Sequence, residues 1–403
     1  MTPTAPARTS TRPRSRRRAR AAALALALAL AGASTAPAAA AHAAPAAHAV
    51  LRATPPAPPQ LSADATGDPA LAGRARAAAA GLAVQGLAVA EGDAAGGRSA
   101  ALGRADARPG RERAMTAGTP QEVGSVAKAL TGLLLAEAVA RGEVTASTTL
   151  AEVHADRDLP AELGRTTLAE LATHTSGLPR LSTRAQLRAL VTDRTLGNPY
   201  AWDTPESLLA DAGGTPLRTP RGEYSYSNLG HALLGQALAV RAGVPYPRLL
   251  RERVLEPLGA GATAALPDPL PAGRAREVAP DGRGTRPWLS TGSAPAGTGV
   301  FSTAEDLGRL AAAAASGRLP GAAALEPRVE AEGMRAGWGW FTATLDGRAV
   351  VGVNGATYGA QASVWCEPAT GRWVAVTAPT GPGAQPAAQT VALRLLLGAD
   401  PGA

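Results

Sequence analysis

Strand-like patterns lie near both ends of this chain, and helix-like patterns fill most of the length between them. Two short strands joined by a glycine-containing turn are predicted within residues 81–93 and 97–106. Two hairpins are predicted within residues 337–355, where Asp-Gly marks the turn, and within residues 360–379. Strands so far apart along the chain share a sheet only if its two ends come together. We therefore predict an α+β fold with an antiparallel sheet built from N- and C-terminal segments and flanked by helices.

The region between the strands, residues 145–320, is predicted to be a mainly helical insertion. Its apolar periodicity is clearest in three stretches, residues 227–243, 246–259 and 302–317, and the last of these opens with a serine that we expect to cap the helix, Ser302. A terminal helix is predicted within residues 387–398. A chain of 403 residues with 45% hydrophobic residues has enough apolar material for a sizeable core. We predict one folded domain over residues 76–400.

The N-terminal segment has the composition of an export signal. Residues 1–44 place basic residues before an apolar run of alanine and leucine, followed by small residues suited to cleavage. The apolar run is short of the roughly 20 residues that a membrane-spanning helix needs, so a stable anchor is the weaker interpretation. The general and the twin-arginine export routes both stay open. Residues 45–75, rich in proline and alanine, are predicted to be a linker.

Charge and cysteine content support an exported protein without a nucleic-acid partner. Residues 1–44 carry seven arginines and no acid, so the formal net charge of +8 falls to +1 once they are removed. The single cysteine, Cys366, excludes an intramolecular disulfide and does not follow the signal as a lipid anchor would. We predict a secreted protein.

The chain contains one lysine, Lys128, among 40 basic residues. It follows Ser125 by three residues at the start of an apolar helical pattern, so both side chains are expected on one helix face. A lysine amine becomes a base when burial lowers its pKa, whereas a guanidinium stays protonated. The spacing therefore suggests a nucleophile beside its base, although a helix-capping serine and a solvent-exposed lysine would also fit such a spacing.

A second stretch, GEYSYSNLGHALLG, places Tyr226 and Asn228 at the start of another predicted helix. Together with VGSVAK, LATHTSGLP, LEPLGAGATA and STAEDLGRL, it resembles in order the serine β-lactamase-like family, which includes class C β-lactamases, D-alanyl-D-alanine carboxypeptidases and related esterases. The resemblance covers roughly residues 76–398 and implies a β-lactamase-like fold. It implies that Ser125 is the acylated nucleophile, that Lys128 and Tyr226 transfer protons, and that Asn228 orients Lys128 and the substrate amide.

The third motif of the family is Lys or His, any residue, then Gly, and this chain departs from it. The corresponding stretch has Val353, Asn354 and Gly355, followed by Ala356. Gly355 still permits close backbone approach, and the Ala356 N–H is expected to pair with that of Ser125 as an oxyanion hole. Val353 can neither bind a substrate carboxylate nor donate a proton. The resemblance thus assigns Asn228, Asn354, Gly355 and Ala356 to substrate binding, without the usual cation.

Three functions stay open at this point. The first is an exported serine hydrolase that forms an acyl-enzyme with an ester, amide or peptide. The second is a D-alanyl-D-alanine carboxypeptidase or β-lactamase proper, which the loss of the cation at position 353 makes less favoured because their substrates carry a carboxylate. The third is a catalytically impaired binding protein of the same fold. Arg372 or another arginine is a candidate to replace the missing cation.

Other chemistry has weaker support in the sequence. His174 and Ser176 suggest a Ser-His-Asp triad, but no G-x-S-x-G elbow is present. His231 is expected to be a packed helix residue, and the histidines show no metal spacing, so neither a metal nor a cofactor is predicted. A further candidate wall of the pocket consists of aromatic residues beside the third motif, Trp338, Trp340 and Tyr358. The expected partner is a small-molecule, peptide or ester substrate, with cell-wall material as one source; the oligomeric state stays open.

Overall fold

The structure is a computed structural model that describes residues 58–191, 198–383 and 386–398. The predicted export signal, residues 1–44, and residues 45–57 of the predicted linker lie outside the described residues. No helix in the described part of the chain is long and apolar enough to cross a membrane.

The strands belong to one large and one small antiparallel sheet. In chain order they are β1 (Ala65–Gly67), β2 (Gly86–Asp93), β3 (Gly96–Asp106), β4 (Arg113–Ala114), β5 (Gln121–Glu122), β6 (Ala264–Ala265), β7 (Val300–Ser302), β8 (Val329–Ala331), β9 (Met334–Ala336), β10 (Phe341–Leu345), β11 (Arg348–Ala356), β12 (Gln361–Glu367) and β13 (Arg372–Ala378). The large sheet has the order β1-β3-β2-β13-β12-β11-β10-β9-β8, with β4 paired to β3, and the small sheet has the order β5-β7-β6.

The two chain ends meet in the middle of the large sheet, as predicted. β2 pairs with β13 in a register that sets Val89 opposite Val376. The first C-terminal hairpin turns at Asp346 and Gly347, whose φ angles of 51° and 77° are those of a type I′ turn. The α+β fold and the sheet shared by both ends are therefore confirmed.

The helices are α1 (Pro69–Ala78), α2 (Val126–Ala140), α3 (Leu150–Val153), α4 (Ala161–Gly164), α5 (Leu168–Ala172), α6 (Thr183–Val191), α7 (Pro205–Gly213), α8 (Asn228–Ala242), α9 (Tyr246–Leu250), α10 (Glu256–Leu258), α11 (Ala304–Ala315) and α12 (Ala387–Leu397), with a π-helical turn at Arg251–Leu255 and 3₁₀ turns at Ala294–Ala296 and Ala322–Leu325. Helices dominate the predicted insertion, residues 145–320. It also contributes the short strands β6 and β7, which join β5 just before the predicted nucleophile.

The folded part begins earlier than the sequence predicted. Within the predicted linker, residues 45–75, Ala65 pairs with Leu102 in strands β1 and β3, and α1 starts at Pro69. The Asp68 carboxylate caps this helix by accepting the Leu71 N–H at 2.6 Å. The linker prediction is wrong from residue 65 onward, because the alanines that gave a linker-like composition pack as small apolar groups on the buried face of α1.

The cap of α11 also differs from the prediction. Thr303, not Ser302, caps this helix: its hydroxyl accepts the Asp306 N–H at 3.1 Å. Ser302 belongs to β7, and its hydroxyl lies 2.7 Å from that of Thr263. The neighbouring Ser and Thr are equally good caps by composition, so only the backbone path into the helix distinguishes them.

The large sheet separates two apolar layers. Alternate residues of β11 and β12, such as Val353, Val364 and Cys366, pack with α2, α8 and α11 on one side. Residues that point the other way, such as Trp365, pack with α1 and α12. Helix α2 lies against the sheet with twelve of its fifteen residues buried, which sets its N-terminus against the edge of β11.

Candidate active site

Ser125 stands immediately before α2, where the chain turns from β5 into the helix. Gly124 makes this turn with φ at 51°, and a Cβ there would lie 2.6 Å from the backbone nitrogen of Ala356. Glycine is therefore required both for the backbone angle and for the contact with β11. The Ser125 side chain accordingly faces a cleft between the helix N-terminus and the strand edge.

The unique lysine lies beside this serine. Lys128 is only 2% exposed, and its Nζ donates to Ser125 Oγ at 3.0 Å and to the Ala296 carbonyl at 2.5 Å. Burial lowers the pKa of the Lys128 amine, which favours its neutral form. A group with this environment can accept the proton of a hydroxyl.

Tyr226 approaches the same hydroxyl from the other side. Its phenol donates to Ser125 Oγ at 2.9 Å, and Lys128 Nζ lies 5.2 Å from the centre of its ring. Burial raises the pKa of the phenol, but the positive charges of Lys128 and Arg180 outweigh that effect, so the net shift is downward. The structure thus brings Ser125, Lys128 and Tyr226 into one hydrogen-bonded cluster.

Asn228 lines the cleft but has a different partner from the one expected. It is the first residue of α8, which Ser227 caps, and its Nδ2 donates to the Tyr200 hydroxyl at 2.5 Å. Among the described residues it shares no hydrogen bond with Lys128, so the expectation that Asn228 orients this lysine is wrong. The Ala296 carbonyl holds the amine instead. Asn228 Oδ1 is buried without a protein partner in the described residues and remains an acceptor for a substrate amide.

Two residues of the third motif, Asn354 and Gly355, line the same cleft as Tyr226. Val353 is 3% exposed and packs in the apolar layer, while Asn354 Oδ1 accepts from Ser363 Oγ at 2.6 Å and Trp365 Nε1 at 3.0 Å. Both contacts hold the Asn354 carbonyl group against the sheet. A Cβ on Gly355 would lie 2.0 Å from the Val123 carbonyl, so glycine allows this strand to touch the chain just before the nucleophile.

The Ala356 N–H points toward the cleft. Directly beyond the facing ends of β11 and β12, the Thr357 N–H donates to the Ala360 carbonyl at 3.0 Å, so Thr357 and Ala360 form a hydrogen-bonded pair. In an antiparallel ladder the neighbouring residue directs its N–H to the opposite edge, so the Ala356 N–H faces away from β12. With the Ser125 backbone beside Gly355, two N–H groups flank the position of a developing oxyanion.

The cleft has a volume of about 330 Å³. Its aromatic lining includes Tyr358, as expected, together with Tyr200 and Trp288, which no motif in the sequence indicated. Trp338 and Trp340 lie in the core at 4% and 1% exposure and do not line it. Tyr200 and Trp288 come from separate loops, and no local spacing reveals that they meet.

Arg180 is the only charged residue among the described residues that line the cleft. It directly follows the LATHTSGLP stretch, and its guanidinium lies 5.1 Å from the centre of the Tyr226 ring. Arg372, the arginine named from the sequence, is elsewhere: its Nη2 donates to the Leu395 carbonyl at 3.2 Å, and it does not line the cleft. The proposed replacement by Arg372 is therefore wrong.

His174 and Ser176 do not form a triad. His174 Nδ1 accepts the Ser227 N–H at 3.0 Å, and the imidazole stacks on the Tyr226 ring with a centroid distance of 4.4 Å. The His231 ring lies at the same centroid distance from His174 in a tilted arrangement. Burial, aided by Lys128 and Arg180, holds the pKa of His174 well below its usual value. A neutral imidazole packed behind Tyr226 fixes the ring, and His231 is the packed helix residue that the sequence suggested.

Comparison with known proteins agrees with this geometry. A profile of the β-lactamase family matches residues 71–399. The D-alanyl-D-alanine-carboxypeptidase/endopeptidase AmpH of Escherichia coli strain K12, like that of Escherichia coli O157:H7, is 34% identical over 144 residues, which is 36% of this chain and 34% of the relative. The chain thus matches about a third of the length of these curated relatives. The solved class C β-lactamase from Rhodobacter sphaeroides superposes with a TM-score of 0.67 at 20% identity, covering 81% of this chain and 98% of that one.

Proposed function

Because this chain belongs to the β-lactamase family of serine hydrolases, we propose that it is an exported enzyme that cleaves an ester, amide or peptide bond through an acyl-enzyme at Ser125. The observation that carries the proposal is the contact of one hydroxyl with two proton-transfer groups. Ser125 Oγ lies 3.0 Å from Lys128 Nζ and 2.9 Å from Tyr226 Oη. A helix-terminal N–H and the Ala356 N–H lie where negative charge would develop.

In the proposed acylation, Ser125 Oγ attacks the substrate carbonyl and its proton passes to the Lys128–Tyr226 pair. The backbone N–H groups of Ser125 and Ala356 stabilise the tetrahedral oxyanion. Tyr226 then protonates the leaving group, whose departure forms the acyl-enzyme. In deacylation the same pair takes a proton from water, which attacks the ester carbonyl and releases the acid and the Ser125 hydroxyl.

A D-alanyl-D-alanine carboxypeptidase is the second candidate. The curated relatives, which match this chain over about a third of their own length, are named D-alanyl-D-alanine-carboxypeptidase/endopeptidase. Against it stands Val353, an apolar side chain where the family motif has a cation. The same observation keeps a catalytically impaired binding protein as the alternative outside enzymes. A broad hydrolase of esters or amides is the candidate that needs no carboxylate anchor on β11.

The first experiment is intact-mass analysis of the purified protein after incubation with a fluorophosphonate and, separately, with a penicillin. We expect covalent labelling by the fluorophosphonate that is lost in Ser125→Ala and kept in Ser147→Ala, a control at an exposed serine outside the cleft. Turnover of an activated ester should fall at least about a thousand-fold in Ser125→Ala, because the nucleophile is removed.

The outcomes separate the candidates. Labelling by both reagents supports a penicillin-competent, carboxypeptidase-like site, whereas labelling by the fluorophosphonate alone supports an esterase or amidase. Absence of labelling in the folded wild-type protein contradicts the proposed hydrolase function. The catalytically impaired binding protein is then the remaining candidate.

Export is a separate proposal that rests on the composition of residues 1–44. Expression of the full chain in a bacterial secretion host, followed by mass analysis of the medium, tests it. We expect a secreted form that begins near residue 45. An uncleaved chain retained in the cells would contradict this proposal without bearing on the chemistry.

A further inference from the structure

The cleft carries one positive charge and no negative charge among the described residues that line it. That charge belongs to Arg180, whose side chain is exposed. Within the described parts of the chain its guanidinium has no hydrogen bond or ion pair, and it lies over the face of the Tyr226 ring, 5.1 Å from the ring centre. Other arginines, such as Arg188, Arg221 and Arg348, face carboxylates. An unpaired guanidinium in a concave site attracts anions.

The backbone of Arg180 is fixed to the wall that also holds the proton-transfer phenol. Its carbonyl accepts the N–H groups of Asn228 and Leu229, each at 3.2 Å, at the start of α8. These bonds fix the Arg180 backbone beside Tyr226, whose hydroxyl lies 2.9 Å from Ser125 Oγ. On β11, Val353 is buried, apolar and not among the residues that line the cleft. The cleft's positive charge thus lies on the Tyr226 wall and not on β11.

We propose that Arg180 is the specificity-determining residue of this cleft and binds the carboxylate of an anionic substrate. The inference rests on the proposed hydrolase function and names the substrate class: carboxylate-bearing esters, amides or peptides. A guanidinium presents its N–H donors in a planar fork that matches a carboxylate, and such charge-assisted bonds are stronger than neutral ones. The aromatic side chains of Tyr200, Trp288 and Tyr358 bound the remainder of the cleft and suit the apolar part of such a substrate.

Arg180 also affects Tyr226, and the test has to separate the two effects. Loss of the guanidinium raises the pKa of the phenol and changes turnover of every substrate alike. Loss of a carboxylate contact changes only anionic substrates. The ratio of kcat/KM for an anionic and a neutral substrate of equal length is therefore the informative quantity.

The experiment compares the p-nitrophenyl monoester of glutaric acid with p-nitrophenyl pentanoate in the wild type, Arg180→Gln, Arg180→Lys and Arg248→Gln. Arg248 is an exposed arginine on α9 outside the cleft and controls for the change in net charge. We expect the wild type to favour the anionic ester. The anionic-to-neutral ratio should fall about ten-fold or more in Arg180→Gln, the loss of one charge-assisted hydrogen bond. It should fall less in Arg180→Lys, which keeps the charge without the fork, and stay constant in Arg248→Gln.

A second readout measures binding without turnover. Glutarate should slow labelling of Ser125 by a fluorophosphonate, neutral glutaramide should not, and the difference should vanish in Arg180→Gln. An unchanged ratio in Arg180→Gln, or an equal loss for both esters with no selective protection by glutarate, overturns the proposal. Absence of any labelling in the wild type would instead refute the hydrolase itself, and a labelled enzyme indifferent to charge refutes only the role of Arg180.

Discussion

At the scale of single residues, Lys128 and Tyr226 act as one titrating unit. Burial lowers the pKa of Lys128, while the phenol of Tyr226 is held below its usual pKa by the charges of Lys128 and Arg180 against the effect of its own burial. The doubly protonated pair therefore loses its first proton below the usual values of either group. After this loss the pair contains one base, either the Lys128 amine or the Tyr226 phenolate, and the apparent pKa belongs to the pair.

Activity should accordingly rise with pH as the pair loses its first proton. Replacement of Lys128 by Met or Arg should lower kcat/KM by about 10²–10⁴-fold, because neither side chain exchanges a proton. A pH profile of ester hydrolysis checks this.

Thermal unfolding provides the control for Lys128. Because folding lowers the pKa of Lys128, the protonated amine is less stable in the folded state than in the unfolded chain at neutral pH. Lys128→Met removes this unfavourable contribution to stability and should therefore not lower Tm. A Met variant that keeps wild-type turnover and the wild-type pH profile would contradict the role of the amine.

At the scale of elements, the site depends on direct backbone contact between β11 and the N-terminus of α2. A Cβ on Gly355 would lie 2.0 Å from the Val123 carbonyl and 2.8 Å from the Ser125 nitrogen. A Cβ on Gly124 would collide with Ala356 in return. The spacing of the two N–H groups is therefore set by two glycines on different elements.

Gly355→Ala should push β11 away from the helix and separate the N–H groups of Ser125 and Ala356. We expect kcat/KM to fall about 10²–10³-fold, the effect of losing one oxyanion donor, with a smaller loss of stability. Ester kinetics and thermal unfolding measure both. The control is Gly73→Ala in α1, where a Cβ meets open space, and it should leave turnover intact. Wild-type kinetics in Gly355→Ala would mean that this contact does not position the donors.

At the scale of the whole molecule, a buried pair of acids joins the inserted region to the strand before the nucleophile. Glu277 accepts the Glu122 N–H at 2.8 Å, and Glu122 accepts the Trp288 N–H at 3.0 Å. Burial raises the pKa of both carboxyl groups, and for Glu122 the neighbouring Glu277 adds to the effect. Burial therefore favours the protonated form of these carboxyl groups, which lie between β5 and the loop that carries Trp288.

Raised carboxyl pKa values mean that the folded state binds more protons than the unfolded state above the usual range of glutamate. Stability should therefore fall as pH rises from the unfolded pKa through the folded one. Glu277→Gln keeps the acceptor for the Glu122 N–H and should flatten this fall by about 1.4 kcal/mol per pH unit, the linkage of one proton. Denaturant unfolding across the pH range checks the slope, and an unchanged slope would show that the pair does not retain the proton.

Local patterns in the sequence determined much of this protein. Periodicity predicted the helix after Ser125, the two late hairpins and the sheet that joins both chain ends, because each depends on the hydrophobic spacing or turn chemistry of a few consecutive residues. The three-residue spacing of Ser125 and Lys128 is likewise local, since one helical turn brings their side chains together. The resemblance added Tyr226, whose partner lies 101 residues away in sequence.

Only the tertiary structure decided which residues complete the cleft. Arg180 lines the cleft and Arg372 does not, and Tyr200 and Trp288 line it in place of Trp338 and Trp340. Arg180, Tyr200 and Trp288 lie in loops, and the direction in which a loop side chain points depends on how distant elements pack. The sequence sets each residue's chemistry and local conformation, whereas the burial and long-range contacts that tune a pKa or form a pocket exist only once the sheet has closed.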